Sequence, residues 1–374
     1  MIPYGRQSID SDDIQAVVDV LKSDYLTTGP MVGEFEQAIA EFTGAKYAVA
    51  IANGTAALHA TMYAVGIKEG DEVITTAMTF AATSNAVLYQ GGTPVFADVC
   101  PDTLLIDPVS VRSKITAKTK AIIAVDYTGQ PCDYDELRAI ADEHGLSLIS
   151  DACHSIGGSY KGNKVGTLAD MTCLSFHPVK HITTGEGGMI LTDDEALASK
   201  LQLFRNHGIT TDHRQRTESG SWFYEMTDLG YNYRITDIQC ALGKSQIKKL
   251  AGWINIRQDI AARYDVAFAG CDLVTPLSVS SDVTSAFHLY VIRLDDSLNR
   301  NDIFSKLRDA GIGVNVHYIP VHMHPYYKKE QGTSIGMCPV AEAAYEQIIS
   351  LPMFPTLSED DQNTVIKILL DLLK

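Results

Sequence analysis

Leu146-Ser147-Leu148-Ile149-Ser150-Asp151 is a short, nearly unbroken apolar run ended by a carboxylate, too brief for a helix and too continuous for a half-exposed strand. Such a run predicts a strand covered on both faces, which is the habit of parallel sheets. Six more runs of the same kind stand at 47–51, 72–75, 93–97, 120–125, 171–176 and 188–192, with helical patterns between them. Strands alternating with helices in this way predict an α/β fold on a mostly parallel sheet. In such sheets ligands bind beyond the carboxyl ends of the strands, which is where Asp151 stands.

Outward from this centre, the chain opens with two amphipathic patterns. Ile14, Val17, Val18 and Leu21 follow the acidic cap region Asp10 to Asp13, and Phe35, Ala38, Ile39 and Phe42 repeat the spacing, so both helices should turn these faces inward. Leu26-Thr27-Thr28-Gly29-Pro30 between them reads as an ordered loop. After about residue 235 the texture changes: a helical stretch through 269, a strand at 286–294, and helices at 300–310, near 339–349 and at 358–372. These predict a smaller α+β domain, with residues 1–245 forming an N-terminal arm and large domain and residues 246–374 the small one. Two closely joined domains leave a cleft between them.

Composition excludes several classes. Thirty Lys+Arg against 46 Asp+Glu give a net charge of −16, which argues against nucleic-acid or anionic-membrane partners and demands a local site for any anionic ligand. No apolar run approaches the ~20 residues of a membrane span, and the opening MIPYGRQSID carries no export or import signal, so a cytoplasmic location is expected. The seven cysteines are scattered singly, which disfavours disulfides and cysteine zinc sites. Pro320 and Pro325 break any helix that would align His317, His322 and His324, so no metal is expected.

Three features carry chemistry. Asn53-Gly54-Thr55-Ala56-Ala57-Leu58 follows a strand and opens a helix, so its backbone N–H groups and a hydroxyl can seat a phosphate. Neither GxGxxG nor a Walker lysine is present, since Gly162 is followed by Asn163. Asp151 can pair with a cationic ring nitrogen, and Ser175-Phe176-His177-Pro178-Val179-Lys180 brings an amine to the same crevice just before the Gly-rich run 185–188. Each part alone has an ordinary reading: a capped turn, a structural cap, a surface lysine. Together they are what pyridoxal phosphate requires, namely an anion site, an acid for the pyridinium and an amine for a Schiff base.

At this point the sequence resembles the DegT/DnrJ/EryC1/StrS family of sugar aminotransferases over essentially its whole length. The matching segments are Leu26-Thr27-Thr28-Gly29-Pro30, Asn53 to Leu58, Thr79-Phe80-Ala81-Ala82-Thr83, Asp151-Ala152-Cys153-His154-Ser155, Ser175 to Lys180, Gly185-Glu186-Gly187-Gly188 and Tyr231-Asn232-Tyr233-Arg234. The resemblance implies the pyridoxal-phosphate transferase fold type I. It implies Lys180 as the Schiff-base lysine, Asp151 as the partner of the pyridine nitrogen, Phe80 stacked on the ring, and His154 near its hydroxyl. Gly54, Thr55 and Ser175 would bind the phosphate, joined by Asn232 from a neighbouring subunit, so a homodimer with shared sites is implied. Cys153 departs from the family, which more often has Ala there, and reads as a buried small residue. Lys at 180, where dehydratase relatives carry His, favours transamination.

Within the family the pattern is most similar to members that move the amino group of L-glutamate to C4 of a UDP-linked 4-keto-6-deoxy sugar, giving UDP-4-amino-4,6-dideoxy-N-acetyl-β-L-altrosamine for pseudaminic acid. That resemblance assigns sugar contacts to Tyr4, Asp24, Tyr25, Leu26 and Thr27, and to Val316, His317, Tyr318 and Ile319. Another UDP- or dTDP-4-keto sugar is the first alternative. A silent cofactor-binding regulatory or scaffolding subunit is the second.

Overall fold

The computed structural model describes residues 1–374, apart from the side chains of His213 and Glu218. Nine strands occupy the first half: β1 (Tyr47–Ile51), β2 (Glu72–Thr76), β3 (Thr93–Ala97), β4 (Thr119–Val125), β5 (Ser147–Asp151), β6 (Ser159–Tyr160), β7 (Asn163–Lys164), β8 (Met171–Ser175) and β9 (Gly188–Thr192). Seven of them form one sheet in the order β1-β9-β8-β5-β4-β2-β3. The pairs β2–β3, β2–β4, β4–β5 and β5–β8 are parallel, and only β9 runs antiparallel to its neighbours β1 and β8.

The continuous apolar runs are explained by burial on both faces. Successive residues point to opposite sides of a strand. Accordingly Ile122 and Leu148 pack with Ile74 and Phe96 on one face, while Ile123 and Ile149 pack with Val49 and Val73 on the other. All seven strands lie within a residue of the expected positions, and the expected α/β architecture with a mostly parallel sheet holds.

The second half contains β10 (Val274–Pro276), β11 (Val283–Thr284), β12 (Tyr290–Leu294) and β13 (Ile348–Leu351). β10, β12 and β13 form a three-stranded antiparallel sheet, and β11 joins the small hairpin β6–β7. Its own core centres on Tyr264, Ile292, Leu307, Ile349 and Leu369. The helices Arg300–Asp309 and Glu359–Leu372 are as expected, whereas the tail of the helix expected over 339–349 becomes β13, paired to β12. The helical stretch through 269 is interrupted between Asp237–Ile247 and Leu250–Phe268.

The strand expected from 286 begins only at Tyr290. Ala286 N and Leu289 N donate to Gly129 O and Thr128 O, and the buried Arg257 guanidinium donates to the carbonyls of Phe287 and His288. These bonds fasten residues 286–289 to the loop after β4. Arg257 also donates to Met353 O at 3.1 Å, and Met353 N donates in turn to Tyr4 O. A single buried cation therefore locks the N-terminal arm, the 286–289 segment and the C-terminal sheet together.

The first helix, Ser11–Leu21, is rotated from the face its spacing predicts. Asp13 and Val20 are buried, while Ile14 and Leu21 are 58% and 55% exposed. The reason is polar: Gln246 Nε2 and Lys249 Nζ donate to Asp13 at 2.6 and 2.9 Å, so a carboxylate of the capping box turns inward. The second helix, Pro30–Thr43, buries Phe35 and Ile39 as expected. No helix among the described residues is long and apolar enough to cross a membrane.

Candidate active site

A cavity of about 840 Å³ opens at the carboxyl ends of β5 and β8, between the main sheet and the 315–318 segment. Its floor is set by close backbone approach. Asn53 caps the helix Gly54–Val65, accepting from Ala56 N at 2.8 Å. A Cβ on Gly54 would fall 2.9 Å from Ser175 Cβ, and one on Gly188 would fall 2.5 Å from Asn53 O. Only glycine lets β8, β9 and this helix start converge, and the convergence brings Thr55 and Ser175 to one wall of the cavity.

Asp151 ends β5 and is buried. Its Oδ2 accepts from Thr83 Oγ1 at 2.7 Å and its Oδ1 from Cys153 N at 3.3 Å, and the Thr83 hydroxyl is linked to Thr79 at 2.8 Å. Phe80, between those threonines, is 62% exposed although apolar, with its ring at the cavity wall. Lys180 lies on the turn joining β8 to β9, whose two feet are the paired residues Ser175 and Gly188. Its Nζ makes no hydrogen bond or ion pair with the described residues. Burial pulls the ammonium pKa below its ordinary value, against the opposing pull of Cys153 and Asp151. An amine held in this way favours its neutral, nucleophilic form.

The opposite wall is aromatic and neutral. His154 Nε2 and Tyr318 Oη are hydrogen-bonded at 3.1 Å, the His154 ring lies 4.4 Å from that of His288, and His154 Nδ1 has no partner. Burial, and then the nearby Lys180, hold the His154 and His288 pKa values well below the usual imidazole range. His317 is pushed down to about 4, mainly by burial. It is held by Ser350 Oγ at 2.8 Å and Asn315 Nδ2 at 3.2 Å, and its carbonyl accepts from Tyr127 Oη. Tyr4 packs its ring 5.5 Å from His317. It is kept there by an arm stitched through Ile2 N to Gly311 O at 2.9 Å and Gly313 N to Ile2 O at 2.6 Å.

The cavity thus unites Gly54, Thr55, Phe80, Asp151, His154, Ser175 and Lys180 with Tyr4, Val316, His317 and Tyr318. It does not collect the rest of the expected set. Asp24, Tyr25, Leu26 and Thr27 are exposed on a loop tied through Asp237 N to Leu26 O. Ile319 is 42% exposed and lies off the cavity, as does Asn232.

Asn232 sits on a segment anchored by its neighbours. Tyr231 and Tyr233 pack 5.0 and 5.9 Å from the buried His59 ring, and Tyr233 Oη is bonded to His59 Nδ1 at 3.1 Å. Before this anchor, Trp222, Met226 and Leu229 are 85%, 64% and 71% exposed.

Sequence reasoning missed His288, Asn315 and Tyr89, which line the cavity, and the Thr79–Thr83 pair that holds Asp151. The two threonines had a legible signal, hydroxyls four residues apart at a helix start. His288 had none. Cys153, expected as a buried small residue, is half-buried and lines the cavity, and its thiol pKa is pushed well up by burial and by Asp151. His322 is bonded to Glu342 at 2.7 Å, and no group of His, Cys, Asp or Glu suited to a metal occurs among the described residues.

The cavity fits pyridoxal phosphate on its own evidence. The close approach at Gly54 and Gly188 brings a helix N-terminus and the Thr55 and Ser175 hydroxyls to one wall of the cavity, Phe80 offers an exposed flat face, and the buried His154 Nδ1 lacks a partner. The model of the DegT/DnrJ/EryC1/StrS aminotransferase family matches residues 7–370. The spore coat polysaccharide biosynthesis protein SpsC of Bacillus subtilis is 42% identical, over 100% of this chain and 97% of its own.

Among solved structures, Spr1654 of Streptococcus pneumoniae in its PMP form has a TM-score of 0.94 and 33% identity, covering 99% of this chain and 98% of that one, and it is also known in a PLP form. Helicobacter pylori PseC, an aminotransferase of pseudaminic acid biosynthesis, has a TM-score of 0.93 and 34% identity with the same coverage. The chain therefore belongs to the DegT/DnrJ/EryC1/StrS aminotransferase family and is a PLP-dependent sugar aminotransferase of fold type I.

Proposed function

We propose that this enzyme transfers the amino group of L-glutamate to C4 of a UDP-linked 4-keto-6-deoxy sugar, giving UDP-4-amino-4,6-dideoxy-N-acetyl-β-L-altrosamine for pseudaminic acid synthesis. The observation that carries the reading is the partnerless amine of Lys180 across one cavity from a sugar-sized wall of Tyr4, Val316, His317 and Tyr318. Similarity to PseC supports the choice of sugar. Similarity to SpsC favours one alternative, a different UDP- or dTDP-4-keto sugar bound by the same wall.

In this reading Gly54, Thr55 and Ser175 hold the cofactor phosphate, Phe80 covers its ring and Asp151 keeps a proton on the ring nitrogen, itself oriented by Thr83. When bound, pyridoxal phosphate supplies an electron sink for the charge left on carbon after deprotonation. Lys180, whose amine is tilted toward its neutral form by burial, holds the cofactor and, once released, takes and returns the proton at the amine-bearing carbon. Tyr4, Phe80 and Tyr318 exclude water from that carbon.

Asn232 and the Asp24–Thr27 loop, away from the cavity in one chain, serve the site of a second copy in a homodimer. Residues 1–245 act as the arm and cofactor domain, residues 246–374 as the small domain, and the enzyme works in the cytoplasm.

The test is a panel of UDP- and dTDP-4-keto sugars offered with glutamate, scored by product mass and configuration. Turnover of the UDP-4-keto-6-deoxy sugar with release of 2-oxoglutarate is expected. Exclusive turnover of another sugar would replace the substrate, and a colourless protein that ignores added pyridoxal phosphate would remove the role of Lys180.

A further inference from the structure

Behind Asp151, out of contact with the cavity, lies a second carboxylate. Asp126 follows β4 and is fully buried. It makes no ion pair with the described residues, and neutral donors alone hold it. Oδ1 accepts from Cys132 N at 3.0 Å and Tyr134 Oη at 2.8 Å, and Oδ2 accepts from Ser155 Oγ at 2.5 Å. Its backbone N–H donates to Asp151 O at 3.1 Å, and Val125, just before it, is paired with Asp151 across β4 and β5. Ser155 ends the Asp151–Ser155 turn that also carries His154. One residue thus grips both ends of the turn that presents two cavity residues, the Asp151 end through its backbone and the Ser155 end through its carboxylate.

We propose that Asp126 is a positioning residue of the aminotransferase reaction: its carboxylate fixes the Asp151–Ser155 turn and adds a second negative charge behind Asp151 that strengthens the site's preference for a protonated cofactor. A neutral side chain would fasten the same segments with far less desolvation, so what the carboxylate adds is charge. The titratable groups facing it are Asp151, Cys132 and Tyr134, all acids, and none supplies a compensating cation. Burial pushes the Asp126 pKa up to about 6, while its bonds from Ser155, Tyr134 and Cys132 hold it down, so near neutrality these donors keep the charge in place. The proposal rests on Asp151 facing the cofactor's ring nitrogen.

The test uses Asp126→Asn and Tyr134→Phe in the cofactor-loaded enzyme, with the visible absorbance of the bound cofactor titrated against pH. Removing a negative charge from behind the site should lower the midpoint of that titration by about one pH unit in Asp126→Asn. Tyr134→Phe keeps the carboxylate but deletes a donor that holds its pKa down, so the midpoint should move the same way by less. Tyr134 lies outside the cavity, so a shift there can act only through Asp126 and its neighbours.

Thermal unfolding of the apo proteins is read in parallel. Variants that lose stability with an unmoved midpoint overturn the proposal, and if Asp126→Asn does not fold, Tyr134→Phe decides alone. A wild type that takes up no cofactor would instead sink the reading of the site itself, whereas a coloured wild type with unmoved variants sinks only the role of Asp126.

Discussion

Two stretches matched by the same family signature end in opposite places. The strand-end segments around Asp151, Ser175 and Gly54 converge on the cavity within one chain, while Asn232 and the 24–27 loop stand exposed outside it, although Tyr233, next to Asn232, lines the cavity. The first group is delivered by sheet topology, since parallel strands leave their carboxyl ends side by side. The second is carried on surface whose large apolar side chains, Trp222 and Leu229 among them, stand uncovered in a single chain. The first group is thus a property of the fold, whereas the second is left by a single chain at an uncovered surface.

The contrast breaks most sharply in a mixing experiment. Lys180→Ala should lose transaminase turnover by at least about 10³-fold and lose the yellow colour. Asn232→Ala should lose far less turnover and mainly cofactor affinity. If Asn232 serves a second copy, co-folding Lys180→Ala with an Asn232→Ala, Asp151→Ala double variant restores no intact site. The pairing of Lys180→Ala with Asn232→Ala alone rebuilds one whole site per mixed dimer, about a quarter of all sites in a random C₂ mixture. Cofactor retention equal to Asn232→Ala alone in that quarter would place Asn232 in its own chain's site.

A smaller effect sharpens the intrachain half. Gly54→Ala puts a methyl 2.9 Å from Ser175 Cβ, and the strain should cost about 1–3 kcal/mol of stability and weaken cofactor binding about tenfold. Unchanged binding by equilibrium titration would show that the helix start does not need this closeness.

The smallest effect concerns the anchor of the outward half. Burial pushes the His59 pKa down to about 4, so the unfolded chain binds this proton first as pH falls. The contribution of His59 is complete above pH 6.5 and is lost between there and about 4, to a limit of about 3 kcal/mol. Denaturant unfolding of the apo protein across that window should be steeper in pH for wild type than for His59→Gln. Parallel curves would release His59 from this role.

The main sheet was legible because its strands are buried on both faces, and continuous apolar runs such as 120–125 and 147–149 survive any helix-versus-strand ambiguity at lengths so short. The failures share a cause: polar side chains reaching across sequence. The spacing of Ile14, Val17, Val18 and Leu21 could not reveal that Gln246 and Lys249 would pull Asp13 inward. Nor could the apolar run from 286 reveal that Arg257 and the Thr128–Gly129 carbonyls would claim its backbone before β12 starts. β6, β7 and β11 are two residues each, too short to show a period.

In the site, residues attached to recognisable segments were found, and those positioned by distant loops, His288 and Asn315, were not. Asp126 escaped for a different reason. Its sequence neighbours give no sign that a carboxylate there would be sealed from water behind another.

The turn bearing Lys180 has both feet in one ladder, Ser175 against Gly188, because β9 returns antiparallel beside β8. No helix or long crossover intervenes that could open by itself. Parting the feet of this turn therefore means separating two strands inside the main sheet, an opening of the larger cooperative kind rather than a loop motion. Any ligand tethered at this turn is then coupled to global unfolding rather than to a local one, and its binding free energy adds by mass action to the stability of the whole sheet. Amide exchange at Cys173, Leu174, Met189 and Ile190 should slow together when the cofactor is added.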